Sequence, residues 1–297
     1  MKPPNVEHLL VFRKNGDQIL SPEELQTKYK FEPDGTNQYY AINAANVAGF
    51  QQSETHSALN PTQRAAFDDL LSRLIDGPAA RKTIVLGLEP DTFRRNNRKE
   101  YLYDAAAAHP DLLAKLAAEL AEMQAEAIAA GKHFGIVVRY ASEMNDTALP
   151  LGDRAKAYKS TFATIRRIFA ANAPGVLFSF SPALRADLPE PAIAQFWPGS
   201  DLVDVIAGTW YIGGPSQRTA AIKNMTNYFL HRKGAGKPFA LSEVGGCNAG
   251  GAANDAVLKD MFDQLGALAK QGVSFRYVTI FLEAKYGTDA TLRFITA

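Results

Sequence analysis

After residue 80, short apolar runs alternate with segments of helical period, and no other feature of the sequence restricts the fold as much. The runs span residues 82–89, 134–140, 175–181, 204–211, 239–244 and 276–283. Each is mostly apolar without strict alternation, as strands covered on both faces are. Between them, Phe67, Leu70, Leu71 and Leu74 fall at helical spacing after Asn60-Pro-Thr-Gln. So do Leu112, Leu116, Leu120 and Met123, which end near Gly131, and Tyr158, Phe162, Ile165 and Phe169 after Asp153. Further helices are expected at 219–232 and 255–270.

The first 60 residues are less regular. Residues 6–12 and 39–50 supply two more expected strands, and Ser21-Pro-Glu-Glu starts a short helix. Eight strands alternating with helices predict an α/β fold of the (β/α)8 TIM-barrel class, with residues 1–297 forming a single domain. No glycine-rich nucleotide fingerprint follows any strand, which argues against a dinucleotide fold.

Composition removes several function classes. Lys and Arg total 32 against 31 Asp and Glu, a net charge of +1, so there is no electrostatic case for nucleic acid or an anionic membrane. Cys247 is the single cysteine, and His8, His56, His109, His133 and His231 are scattered; neither a disulfide nor a metal site is expected. No organic cofactor is implied either. No apolar run reaches membrane-spanning length, and Met1-Lys-Pro-Pro-Asn-Val-Glu lacks a signal-peptide core. The chain is expected to be a monomer, cytoplasmic unless a leader has been removed.

In a (β/α)8 barrel, functional residues gather where strands end. The ends here carry Glu89, Arg139, Glu143, Asn145, Trp210, Tyr211, Glu243 and Glu283. A carboxylate delivered by a buried strand needs a partner or a pocket. Glu143 and Glu243 are 100 residues apart. At roughly 31 residues per βα unit that is close to three units, which puts the two strands nearly opposite in an eight-stranded barrel. Two facing carboxylates in unlike environments can divide the roles of general acid and nucleophile.

Four motifs in order then carry a resemblance. Arg139-Tyr-Ala-Ser142-Glu143-Met-Asn145 aligns with the Arg-Pro-Trp-His-Glu-Met-Asn signature of the family-26 glycoside hydrolases, retaining (β/α)8 enzymes that include the β-mannanases. Phe196-Trp-Pro-Gly-Ser-Asp resembles that family's Tyr-Tyr-Pro-Gly-Asp segment, Lys237-Pro-Phe-Ala-Leu-Ser-Glu243 its nucleophile strand, and Leu88-Glu89-Pro90 its Trp-Glu-Pro. The resemblance implies that Glu143 is the acid/base and Glu243 the nucleophile, with Arg139 and Tyr211 holding Glu243. Substrate contacts are expected at the strand-end residues Glu89, Ser142, Asn145, Trp210 and Glu283, and the resemblance implies a polysaccharide or oligosaccharide substrate and a secreted or periplasmic setting. Ser142 departs from the family's His, Leu282 or Glu283 from a tryptophan, and Asp146 from a glycine. These departures bear on mannan as substrate, and make an exopolysaccharide equally admissible.

Plainer readings stand beside these. Glu89 either bonds sugar or pairs with Arg94 or Arg95. Only one of the adjacent Trp210 and Tyr211 can face the barrel mouth. Trp197 reads as packing, whereas Phe93, Tyr101 and Tyr103 are candidate sugar platforms. The alternatives to a hydrolase are a non-catalytic carbohydrate-binding barrel in an export or surface assembly, and a polysaccharide lyase.

Overall fold

A computed structural model describes residues 6–12, 27, 34–42, 44–52, 57–90, 92–95, 98–146, 151–185, 187–211, 218–245 and 252–281. Strands β1 (Val6–Phe12) and β2 (Gly35–Ile42) precede helices α1 (Ala44–Gln52) and α2 (Pro61–Asp76). Strand β3 (Arg81–Pro90) runs into the hairpin β4 (Thr92–Arg95) and β5 (Arg98–Tyr101), followed by α3 (Tyr103–Ala107) and α4 (Pro110–Ala129). Next come β6 (His133–Tyr140), α5 (Leu151–Asn172), β7 (Leu177–Phe180) and α6 (Glu190–Ala194). The chain continues through β8 (Val205–Ile206), β9 (Thr209–Tyr211), α7 (Arg218–His231), β10 (Phe239–Gly245), α8 (Ala252–Lys270) and β11 (Phe275–Phe281).

Contacts divide the chain into two units. The first comprises Tyr39–Phe180 and Gln195–Asp204. Its strands β3, β6 and β7 pair in parallel, with Gly87 opposite Arg139, Leu88 opposite Tyr140, and Arg139 opposite Ser179. β3 and β6 are buried along almost their whole length, which accounts for their unbroken apolar runs. Helix α2 starts at a capping box: the Asn60 side chain accepts from Gln63 N at 2.9 Å, and the Gln63 side chain accepts from Asn60 N at 3.1 Å. α4 ends at Ala129, and two residues on Gly131 takes a φ of +72°, the left-handed value glycine tolerates. The expected apolar stripe of α5 meets the sheet as an aromatic core. Tyr158 stacks on Tyr140 at 5.7 Å, Phe162 sits edge-on to Phe178 at 5.8 Å, and Phe169 does so at 5.2 Å. Trp197 packs edge-on against Phe180 at 5.2 Å.

The second unit comprises Met1–Gln38, Ser181–Ala194 and Val205–Ala297. Here β11 pairs in parallel with both β1 and β10, and β10 also pairs with β8 and β9. Every residue of β10 is buried. Arg232, the residue after α7, is tied to Glu190 of α6 by a bidentate ion pair at 2.7 and 2.8 Å, with the guanidinium 4.2 Å above the Tyr228 ring.

Three expectations about elements need correction. The second strand lies at Gly35–Ile42 rather than 39–50, and Ala44–Gln52 is helical, in keeping with the helix propensity of its alanines. The run 204–211 is two strands, interrupted at Ala207 and Gly208, where Leu184 lies against the glycine; a Cβ on Gly208 would lie 2.4 Å from Leu184 Cδ1. After β3, where no strand is expected, Thr92–Arg95 and Arg98–Tyr101 pair antiparallel. The helix expected at Ser21 lies outside the described residues.

One buried carboxylate fastens a loop in the first unit. Glu119 on α4, only 3% exposed, accepts from Ala58 N at 3.0 Å, Leu59 N at 3.3 Å and the Ser57 hydroxyl at 3.3 Å. Burial, aided by that carboxylate, pushes the phenol of neighbouring Tyr40 well up, so it stays a donor to Ala58 O at 2.7 Å. Removing the carboxylate leaves two buried N–H groups unpaired. Glu119→Ala is expected to lower unfolding stability by about 2–4 kcal/mol, read from urea titration, with Glu119→Gln falling between that variant and the wild type.

Candidate active site

Each charged residue at a strand end has to be held by something, and in the first unit the holding begins with Tyr39. Its ring lies across β3 at Gly87, where a Cβ would meet ring carbon Cδ1 at 2.4 Å. Gly87 stands opposite Arg139 in the strand register. From there the Tyr39 hydroxyl reaches the side chain of Arg139, accepting from Nη1 at 3.2 Å. Arg139 is wholly buried, so its charge depends on such partners.

Beyond β6 the chain makes a turn that few side chains accept. Ala141 has φ of +47° and Glu143 of +57°. Non-glycine residues in this region cost of order 1–3 kcal/mol each and persist only where surrounding bonds fix them. Here those bonds are present. Ala141 N donates to Leu88 O at 3.0 Å, Ser142 N to Glu89 Oε1 at 3.1 Å, and Asp146 N to Glu143 O at 2.8 Å. The Tyr101 hydroxyl donates to Ser142 O at 2.6 Å, and the Tyr103 hydroxyl to Met144 O at 3.4 Å. Ser142 and Asn145 are buried, while Glu143 is partly exposed. Glu89 Oε2 is buried without a hydrogen-bond partner among the described residues.

Tyr101 and Tyr103 are each 4% exposed, which removes them as sugar platforms. No sequence motif marks either as a holder of the turn, or Tyr39 as a partner of Arg139. Their targets are backbone carbonyls or lie far along the chain, so no motif records them.

The second unit holds its carboxylate in a similar way. Tyr211 on β9 stands opposite Gly245 on β10, and its ring lies over that glycine; a Cβ there would meet ring carbon Cε1 at 2.4 Å. The phenol donates to Glu243 Oε2 at 2.8 Å. Glu243 is 6% exposed and Tyr211 partly exposed. Trp210, the neighbour of Tyr211, is completely buried, and its indole N–H has no partner among the described residues. The pair thus separates as adjacent strand residues must. Glu283, Leu282 and Cys247 lie outside the described residues, and nothing of the side chains of Phe93, Arg94 and Arg95 is described. No group of three or more His, Cys, Asp or Glu residues gathers among the described residues in a way that would hold a metal ion. No described helix is long and apolar enough to cross a membrane.

Comparison with known proteins bears on the fold. No protein-family model matches the chain, and no curated protein matches its sequence. Solved structures do match. The GH26 β-mannanase BoMan26A from Bacteroides ovatus superposes with a TM-score of 0.60 at 14% identity, over 97% of this chain and 83% of that one. GH26C from Muricauda sp. MAR_2010_75 gives 0.62 at 13%, over 99% and 86%. A modular endo-β-1,4-mannanase from Cellulomonas fimi gives 0.62 at 14%, over 96% and 67%. The fold is that of the GH26 β-mannanases. This GH26-like chain is accordingly a (β/α)8 barrel, as the alternation of its strands and helices predicts.

The two glycines are expected to be intolerant for a stated reason. Gly87→Ala and Gly245→Ala each force an aromatic ring off its strand and should cost about 1–3 kcal/mol in urea unfolding. In a Tyr39→Ala background the ring is gone, so Gly87→Ala should cost under about 0.5 kcal/mol more. Equal costs in both backgrounds would show that the ring is not what Gly87 accommodates.

Proposed function

We propose that the protein is a retaining glycoside hydrolase acting on a polysaccharide, either an exopolysaccharide or a mannan-like β-glycan. Glu143 is the acid/base and Glu243 the nucleophile. The observation that carries this reading is the hydrogen bond from Tyr211 to Glu243 at the end of a buried strand. A phenol donating to one carboxylate oxygen fixes the rotation of the group and favours its ionised form. The reading is supported by the GH26 fold, by the Arg139-to-Asn145 motif at the end of β6, and by the general placement of barrel active sites at strand ends.

In the first step the Glu143 carboxyl gives its proton to the glycosidic oxygen while a Glu243 oxygen attacks the anomeric carbon. The glycosidic C–O bond breaks, and the sugar remains as an ester on Glu243. In the second step Glu143, now a carboxylate, takes a proton from water as the water oxygen attacks the anomeric carbon. The ester bond breaks, Glu243 is restored, and Glu143 is protonated again. No metal or organic cofactor enters either step. Arg139 and Tyr211 orient Glu243 in this scheme.

Ser142 favours a second reading. The family motif has a histidine there, and the serine is 1% exposed, so position 142 presents no long donor to a sugar. A barrel that binds glycans without cleaving them would fit that loss. The two readings part on one experiment. An activated 2-fluoro glycoside should become covalently attached to Glu243 in the hydrolase. Glu243→Ala should remove turnover altogether, and Glu143→Ala should reduce kcat on unactivated oligosaccharides by about 10²–10⁴-fold. Label on any other residue overturns the assignment. Glycan binding with no turnover across a broad panel selects the binding barrel.

A further inference from the structure

Residues 101–103 join the hairpin β4–β5 to α3, and the resemblance to family 26 gives them no part in the chemistry. The side chains of Tyr101 and Tyr103 nevertheless converge on the turn that carries Glu143. The two residues flanking Glu143 are Ser142 and Met144. The carbonyl of the first accepts from Tyr101 at 2.6 Å and that of the second from Tyr103 at 3.4 Å. We propose that Tyr101 and Tyr103 are positioning residues for the acid/base: their buried hydroxyls clamp the peptide carbonyls on either side of Glu143 and so aim its side chain. The proposal rests on Glu143 being the acid/base.

Three observations carry it. The first is the conformation being held. With φ of +57°, Glu143 lies where a non-glycine residue stays only under constraint, and φ sets the direction of its Cα–Cβ bond. A carboxyl at the end of that side chain must keep to within about 0.5 Å of its working geometry, which a relaxed turn would not preserve. The second is that the clamp is itself fixed. Tyr101 O accepts from Arg154 Nη1 at 2.7 Å, and Tyr103 O accepts from the Tyr140 hydroxyl at 3.2 Å. The Tyr103 ring packs against Tyr101, Tyr140 and Tyr158 with centroids 5.7, 6.5 and 5.7 Å away.

The third is Glu89, whose Oε1 takes the Ser142 N–H at 3.1 Å. The peptide groups on both sides of Ser142 are therefore occupied, one by a carboxylate and one by a phenol. Burial, with the Glu89 carboxylate adding to it, pushes the Tyr101 phenol far above its ordinary range, so it remains a donor wherever the enzyme works. Packing alone would need only the rings. What distinguishes this arrangement is where the hydroxyls point.

The test therefore removes hydroxyls and keeps rings: Tyr101→Phe, Tyr103→Phe and the double variant, in the full chain. Two readouts are taken. Amide hydrogen exchange in residues 141–146 should accelerate about tenfold or more in the double variant, with β3 and β6 unchanged. Kinetics should split by leaving group, on a panel of manno-, gluco- and galacto-configured oligosaccharides and their 2,4-dinitrophenyl β-glycosides. Dinitrophenolate leaves without a proton, so kcat/KM for those glycosides should stay within about twofold, whereas unactivated oligosaccharides should lose about 10–100-fold. An equal fall on both substrates, or exchange that accelerates throughout the barrel, would show a merely structural role and overturn the proposal. Unchanged exchange with unchanged kinetics overturns it as well. A wild type that cleaves nothing in the panel removes the acid/base reading itself, and the positioning role with it. A wild type that cleaves both substrate types, with variants that match it, removes the positioning role alone.

Discussion

A tyrosine can lie flat across a strand only where that strand has no side chain beneath the ring. Both units of this barrel use that constraint to bring a phenol to a charged residue. Gly87 lets Tyr39 reach Arg139, and Gly245 lets Tyr211 reach Glu243. In each case the glycine belongs to a residue pair across two parallel strands, Gly87 with Arg139 and Gly245 with Tyr211. Strand register therefore sets the reach of the phenol before any side chain rotates. A ring confined in this way loses little further freedom when its hydroxyl bonds, which is the advantage of a pre-organised donor over a flexible one.

The sheet can carry such groups because its remaining interior is so completely covered. Arg139 is wholly buried, and on the opposite face of β6 its neighbour Tyr140 is stacked on Tyr158 of α5. Tyr158 in turn meets Phe162, Phe180 and Phe196 within 6.4 Å. Aromatic packing of this density fixes the backbone of β6 up to its last residue. The unusual conformations at Ala141 and Glu143 thus begin abruptly after a rigid strand, and the strain has nowhere to spread. The turn is held instead by bonds from outside β6: from Leu88 and Glu89 on β3, from Tyr101 at the end of β5 and from Tyr103 at the start of α3.

Much of this was legible in the sequence, and the exceptions share a cause. Strands β3, β6 and β10 announce themselves as apolar runs because they are covered on both faces, and Glu89, Arg139, Glu143 and Glu243 stand out as charges at their ends. Helix α2 is marked by a side-chain cap that leaves a residue signature. β2 is harder to read. Its Gly-Thr-Asn-Gln opening is polar, and the alanine-rich helix behind it continues the apolar character without a break. Between β8 and β9, Gly208 lies against Leu184, more than twenty residues upstream, a contact that no local pattern reveals. Tyr101 and Tyr103 look like exposed sugar platforms for the same reason. An aromatic residue near a strand end is compatible with either fate, and its burial is decided by α5 and by carbonyls some forty residues away.

The same distinction between side chain and backbone bears on Ser142, the most conspicuous departure from the family-26 motif. At this position the protein engages the peptide groups: the N–H goes to Glu89 and the carbonyl to Tyr101. Neither bond depends on which side chain residue 142 carries, so the turn beneath Glu143 can persist when that side chain changes. The serine itself is 1% exposed, however, and a larger side chain would need space that the surrounding residues fill. Exchanging histidine for serine therefore leaves the mounting of Glu143 in place while removing a long polar group next to it. The consequence falls on the side chains beside Glu143, and much less on the backbone turn that carries it.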